Sequence, residues 1–228
     1  MKDLFLAASK MEIKPFLDNC GLYNKIVEGE IFTLNNIDIL ISGIGAVATA
    51  YYLGQALAKN KYTCIWNFGI AGSFSEQHPL ESLVCVGEEI FADLGCETEA
   101  GGFDDIFDMR LSDKNARPFY QGRLIADFPK NFLLQDELPR VRSVTVNKVL
   151  SSERSIEIIK NKYSPHIVNM EGAAVYYSAL LSKTPCVEVR SISDYAGERD
   201  KSKWKIDGAI RSLNRIIQQI YEQRAKLS

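Results

Sequence analysis

Short apolar runs alternate with longer amphipathic segments along this chain, and the alternation predicts an α/β protein. Strands are expected at 3–8, 24–33, 37–43, 63–69, 83–92, 141–146, 166–170 and 185–192. Helices are expected at 11–18, 45–59, 151–162, 171–183 and 203–226. Runs such as Ile37-Asp38-Ile39-Leu40-Ile41 and Cys186-Val187-Glu188-Val189 are nearly continuous, as in strands that helices cover on both faces. Asn35-Asn36, set between two such runs, reads as a hairpin turn, so the sheet should be mixed. From Trp204 to Leu227, apolar residues at Ile206, Ala209, Ile210, Leu213, Ile216, Ile217 and Ile220 follow one helical face and predict a packing helix. The stretch from Gly95 to Pro118 resists assignment. It is polar and broken by Gly101-Gly102, with Phe103, Ile106 and Phe107 among acids, and loops of that length are commonly functional.

A length of 228 residues suits one α/β domain spanning 1–228. Lys and Arg number 27 against 29 acids, a net charge of −2 without any basic block. A small-molecule partner is therefore expected, with no nucleic acid and no membrane. Five dispersed cysteines without a CxxC pair read as reduced thiols, which predicts a cytoplasmic protein. The run Leu4 to Ala8 is too short for a signal-peptide core, and no later run is long enough to span a bilayer. The only two histidines, His78 and His166, sit beside prolines at expected loop positions. A Ser-His-Asp triad and a metal site are thus disfavoured, no cofactor is expected, and acid–base chemistry falls to carboxylates.

Four segments then stand out at expected strand ends. Ser42-Gly43-Ile44-Gly45-Ala46-Val47-Ala48 opens a helix, where glycines let backbone approach a ligand. Its GxGxxA form lacks the acidic residue that a dinucleotide site wants about 20 residues on, which disfavours a nicotinamide oxidoreductase. Asn67-Phe68-Gly69-Ile70-Ala71-Gly72-Ser73 is expected as a second small-residue loop. In Val168-Asn169-Met170-Glu171-Gly172-Ala173-Ala174 a carboxylate sits where a strand meets a helix, either as a site group or as a simple dipole partner. Arg190 lies inside an apolar strand that Asp194 closes, and a buried arginine needs an anion, for which Glu12 or Glu171 would serve.

Taken in order, Ala8-Ser9-Lys10-Met11-Glu12, Ser42-Gly43-Ile44-Gly45, Gly69-Ile70-Ala71-Gly72, Asn169-Met170-Glu171-Gly172-Ala173-Ala174 and Val189-Arg190-Ser191-Ile192-Ser193-Asp194 span almost the whole chain. The set resembles the nucleoside phosphorylase/nucleosidase superfamily, most closely nucleosidases of the methylthioadenosine/S-adenosylhomocysteine and futalosine hydrolase type. Ala92-Asp93-Leu94-Gly95, Gly101-Gly102-Phe103 and Gly197-Glu198-Arg199-Asp200 with Trp204 are similar to the futalosine hydrolases. The resemblance implies a three-layer fold, a central mixed sheet between helices, and a homodimer. It implies hydrolysis of a purine nucleoside, futalosine first, with water as nucleophile.

The resemblance also implies roles. Asp194 would protonate the departing purine at N7, and Glu12 would take a proton from water. Glu171 would grip the ribose beside the growing oxocarbenium charge, Met170 would pack on the sugar, and Arg190 would hold the carboxylates. Gly45, Ile70, Ala71, Gly72 and Asn169 are implied substrate contacts, with Val149 and Leu150 near the base. Adenine-specific relatives commonly carry Ser at position 70 and Glu at 169, where this chain has Ile70 and Asn169. Relatives that cleave 6-oxopurines often carry Asn at position 194. The stretches that hold phosphate-binding arginines in phosphorylases read Ala8-Ser9-Lys10 and Trp66-Asn67-Phe68 here, which favours water. Arg110, Lys114, Arg117 and Arg199 are candidates for the carboxylate at the 5′ end of futalosine. The alternatives are a methylthioadenosine/S-adenosylhomocysteine or aminodeoxyfutalosine nucleosidase and, from another class, an inactive nucleoside-binding protein.

Overall fold

The structure, a computed structural model, describes residues 2–130 and 137–225. Its core strands are β1 (Lys2–Ala7), β2 (Ile31–Leu34), β3 (Ile37–Ile41), β4 (Tyr62–Ser73) and β5 (Leu83–Phe91). Further along come β6 (Gly95–Glu97), β7 (Phe103–Asp105), β8 (Leu124–Ile125), β9 (Arg140–Thr145), β10 (Ile167–Asn169) and β11 (Cys186–Tyr195). The helices are α1 (Lys14–Asn19), α2 (Ala46–Lys59), α3 (Glu153–Tyr163), α4 (Gly172–Ser182) and α5 (Ile206–Ala225).

The main sheet runs β10-β9-β5-β11-β4-β1-β3-β2, with β8 on the side of β5. β3, β1, β4 and β11 are mutually parallel, while β2–β3 and β5–β11 are antiparallel, so the sheet is mixed as expected. β10 pairs with β9 on one edge and with the far end of β4 on the other, which curls half of the sheet into a closed ring. Alternation along β1 sorts the core: Phe5 and Ala7 face the layer of α1 and α5, Leu4 and Leu6 the layer of α2 and α4. Leu213, Ile217 and Ile220 of α5 are wholly buried, each contributing about 1.5–3 kcal/mol over an exposed position.

Several boundaries move from their expected places, each for a local reason. The strand expected from residue 24 begins only at Ile31, because a turn through Gly29 (φ 80°) precedes it. α1 starts at Lys14 rather than 11, with Pro15 in its first turn, where a missing N–H costs nothing. The last helix begins at Ile206, after a short 3-10 turn at Lys201–Lys203, and residue 226 of the expected range lies outside the described residues. Gly69 to Ser73 is not a loop: β4 runs on through it, because β11 pairs with it along its length and β10 pairs with Gly72 and Ser73. β11 likewise continues past 192 to Tyr195 and carries Asp194 within the strand.

The unassigned stretch is an ordered flap. β6 and β7 form a two-stranded ribbon, Asp105 Oδ1 accepts from the N–H groups of Phe107 and Asp108, and Lys162 of α3 donates to Phe103 O at 2.9 Å. Among the described residues, no helix is long and apolar enough to cross a membrane.

Candidate active site

A cavity of about 270 Å³ opens where the loops after β1 and β3 meet the far ends of β4, β10 and β11. Strand carboxyl ends are where α/β sheets bind ligands. Glu12, Glu171 and Asp194 all reach it, from three separate segments of chain. Ile70, Ala71 and Gly72 of β4 line one wall; Asn169 and Met170 line another; Val149 and Leu150 stand above them. Gly45 takes part through its backbone instead, donating from N–H to Glu171 Oε1 at 2.9 Å.

Glu12 is nearly buried and its carboxylate is held at both oxygens. Ser9 donates to Oε2 from its N–H and its hydroxyl, both at 3.0 Å, and Ile70 N–H donates to Oε1 at 3.2 Å. Glu171 heads α4. Burial pushes its carboxyl above the usual range; Arg190 pulls it back, Glu12 adds to the rise, and the Gly45 N–H opposes it. Asp194 is aimed by a bulge. β11 pairs Ile192 with Ala71 and Asp194 with Gly72, so Ser193 is the extra residue and two consecutive side chains, Ser193 and Asp194, line the same cavity. Burial raises the Asp194 carboxyl, and the Ser193 hydroxyl, donating at 2.6 Å, lowers it in part.

Arg190 differs from expectation in its partner. Its Nε donates to Glu188 Oε1 at 2.8 Å, and both side chains are fully buried. Neither Glu12 nor Glu171 is its ion-pair partner. Burial works against the charge, but Glu188, Glu171 and Glu12 together hold the guanidinium charged well above its usual range. The guanidinium fills the space beside Gly69, where a Cβ would strike Nη1 and come within 3.0 Å of Glu12 Oε1, so glycine is required there. Arg190 thus stands behind the cavity wall.

Other expectations also shift. None of Arg110, Lys114, Arg117 and Arg199 lines the cavity, and Arg117 Nη2 caps the end of α4 through Leu180 O and Leu181 O, both at 3.1 Å. Lys10 turns away from the site to the carbonyls of Tyr23 and Ile26. Trp204, read as the start of a packing helix, is a cavity wall whose indole N–H donates to Glu198 O at 3.0 Å. Glu89 and Glu188 were missed, although a glutamate inside Val187-Glu188-Val189 carries the same signal that marked Arg190. His78 and His166 pack ring to ring at 5.4 Å, away from the cavity. Among the described residues no cluster of three or more His, Cys, Asp or Glu is arranged to hold a metal ion.

The description "Phosphorylase superfamily" matches residues 7–222, and the chain belongs to that superfamily. Within it, the chain is 30% identical over 189 residues to a futalosine hydrolase of Thermus thermophilus, covering 79% of each chain. It is 27% identical to a futalosine hydrolase of Streptomyces coelicolor, covering 79% of this chain and 76% of the relative. The fold matches a native futalosine hydrolase of Helicobacter pylori with a TM-score of 0.76 at 18% identity, over 98% of both chains. It matches the 5′-methylthioadenosine/S-adenosylhomocysteine nucleosidase of the same organism, bound to butyl-thio-DADMe-Immucillin-A, with the same score and identity, over 98% of this chain and 99% of that one. The chain is accordingly an enzyme of the nucleosidase type, acting on nucleoside N-glycosidic bonds.

Proposed function

We propose that this nucleosidase hydrolyses futalosine to hypoxanthine and dehypoxanthinylfutalosine, a step toward menaquinone. The observation that carries the reading is the convergence of Glu12, Glu171 and Asp194 on one small cavity whose described lining includes no Lys or Arg. A phosphorolytic site needs cations for a phosphate dianion, so this lining favours water as nucleophile. Asp194, held toward its protonated form by burial, suits donation of a proton to purine N7 as the glycosidic bond breaks. Electrons of that bond leave with the base, and the ribosyl cation left behind is stabilised by Glu171. Glu12 then accepts a proton from the water whose oxygen bonds to C1′. Ser9 and the Ile70 N–H hold Glu12 in place, and the guanidinium of Arg190 lies close behind it.

The test is chromatographic, with purified protein and futalosine, methylthioadenosine or inosine, each with and without phosphate. Hypoxanthine released from futalosine alone, at a rate independent of phosphate, is the expected result. Adenine from methylthioadenosine moves the substrate, phosphate-dependent release replaces hydrolysis, and tight binding without turnover overturns catalysis.

The same reading includes a homodimer of a single domain spanning 1–228 in the cytoplasm. Val47 (81% exposed), Tyr51 and Ile44 form an apolar strip along the start of α2, and Ile44 also lines the cavity, so a second copy would cover the mouth. Light scattering should give twice the chain mass, and Val47→Asp should halve it. The five thiols are free, as a reducing compartment keeps them.

A further inference from the structure

Behind the turn that carries Glu171 lies a second pair of acids that the reaction above does not use. Glu89 of β5 and Glu188 of β11 are wholly buried, and neither lines the cavity. Gly172 stands between them: a Cβ there would collide with Glu89 Oε1 and Glu188 Oε1 alike, so both carboxyls occupy the space a side chain would take. Glu188 has a counter-charge, since Arg190 Nε donates to its Oε1. Glu89 has neutral partners: Thr145 Oγ1 donates to one oxygen at 2.8 Å and Asn169 Nδ2 to the other at 2.5 Å. Two full negative charges against one guanidinium in a dry interior are costly, whereas one carboxylate and one carboxylic acid are not.

Asn169 links this pair to the site. Its Nδ2 donates to Glu89 and to Ser143 Oγ, with Glu188 Oε1 a longer third acceptor at 3.4 Å, which turns Oδ1 the other way. Oδ1 then accepts the N–H of Glu171 at 2.8 Å and of Gly172 at 2.6 Å, tying down the first turn of α4. We propose that Glu89 is a positioning residue for the nucleosidase reaction: a neutral carboxylic acid that orients Asn169, and through it Glu171, while leaving Glu188 as the sole counter-charge of Arg190. The titratable groups that act on Glu89 are Glu188 of β11 and Tyr176 of α4. Tyr176 stays neutral, its hydroxyl pushed far up by burial and bonded to Val86 O. Burial, and then the charge of Glu188, push the Glu89 carboxyl up to about 8. Above that pH a second buried charge forms beside Glu188, and the Asn169 turn loosens.

The inference rests on the nucleosidase reading, and its test separates the two. Glu89→Ala should lower kcat by more than about tenfold, while Glu89→Gln, which keeps the shape and can both donate and accept, should restore it to within about threefold. Glu188→Gln should lower kcat more than about tenfold, because it strips Arg190 of its buried counter-charge. In the wild type the fall of log kcat with pH should steepen above about 8; in Glu89→Gln it should not. Equal slopes, or a Gln variant as poor as Glu188→Gln at pH 7, overturn the proposal. If the wild type releases no base from any nucleoside, the functional reading fails and infrared difference spectra decide this one. A protonated-carboxyl band present at pH 7 and lost in Glu89→Gln supports it, and a band unchanged in that variant overturns it. Should Glu89→Gln not fold, a wild-type band titrating near pH 8 supports the proposal, and absence of one in that range overturns it.

Discussion

Gly45 and Glu171 meet across 126 residues of chain: the backbone N–H of one donates to the carboxylate of the other at 2.9 Å. Gly45 stands just before α2 at φ 91° and ψ 160°, a conformation open in practice only to glycine. The loop after β3 therefore does more than start a helix. Its unusual backbone turns an N–H toward the carboxylate at the head of α4, and that carboxylate lines the cavity.

Replacing Gly45 by Ala tests this coupling. A Cβ at that position would meet open space, so the cost is backbone strain rather than collision. We expect Gly45→Ala to lose about 1–3 kcal/mol in denaturant unfolding. If the loop relaxes and withdraws its N–H, kcat should fall about tenfold, the worth of one hydrogen bond to a charged group. Wild-type turnover in this variant would show that Glu171 does not depend on Gly45.

Asp194 makes a prediction about pH. Burial holds its carboxyl above the usual range. As proton donor it works only in the acid form, so kcat should fall as pH rises through the raised value. Asp194→Asn should lose about 10²- to 10⁴-fold in turnover. Stability changes in the same direction: a raised folded value favours the folded state at low pH, and that advantage is lost as pH rises through it. The melting temperature of Asp194→Asn should therefore gain on the wild type with increasing pH. A difference that stays constant from pH 4 to 8 would mean the Asp194 carboxyl is not raised.

Gly172 is predicted to tolerate no side chain at all. Its place between Glu89 Oε1 and Glu188 Oε1 leaves no room for a Cβ, and both oxygens belong to buried hydrogen-bonded groups that cannot swing into solvent. Gly172→Ala should cost several kcal/mol, at the upper end of about 1–3 kcal/mol for overpacking plus a broken polar network. Chemical denaturation measures it, and a loss below about 1 kcal/mol would show that the two acids are not packed as described.

The sequence carried the sheet and most of the cavity because both leave local marks. Short, nearly continuous apolar runs marked β1 and β3, and glycines marked the turns at Gly43 and Gly45. What it could not show were long-range pairings. β4 continues through Gly69-Ile70-Ala71-Gly72 because β11, far along the chain, pairs with it from Gly69 to Ser73, and β10 pairs with Gly72 and Ser73 as well. The bulge at Ser193 exists only relative to β4, so no reading of β11 alone could find it. The partner of Arg190 lay two residues away at Glu188, hidden because both face inward from a strand that reads as apolar. The ribbon of β6 and β7 depends on Asp105 and Lys162, which distance in sequence conceals.

Arg110, Lys114, Arg117 and Arg199 do not line the cavity, and the surface offers other cations for the 5′ carboxylate of futalosine. Met11 and Trp204 form a shared wall between the cavity and a second, open depression of about 640 Å³. Lys201, Lys205 and Arg211 line that depression, against Glu81 and Asp207. Its cations are exposed, so each pair with a carboxylate is worth about 0.2–1 kcal/mol. The double variant Lys205→Ala with Arg211→Ala should then raise the KM for futalosine about 2- to 20-fold. It should leave kcat unchanged, and it should leave methylthioadenosine, which has no carboxylate, unaffected. Added salt should raise the wild-type KM and close the gap to the variant, because exposed charges are screened. An unchanged KM for futalosine at low salt would remove this depression from the substrate site and leave the 5′ group to the apolar mouth around Ile44 and Met11.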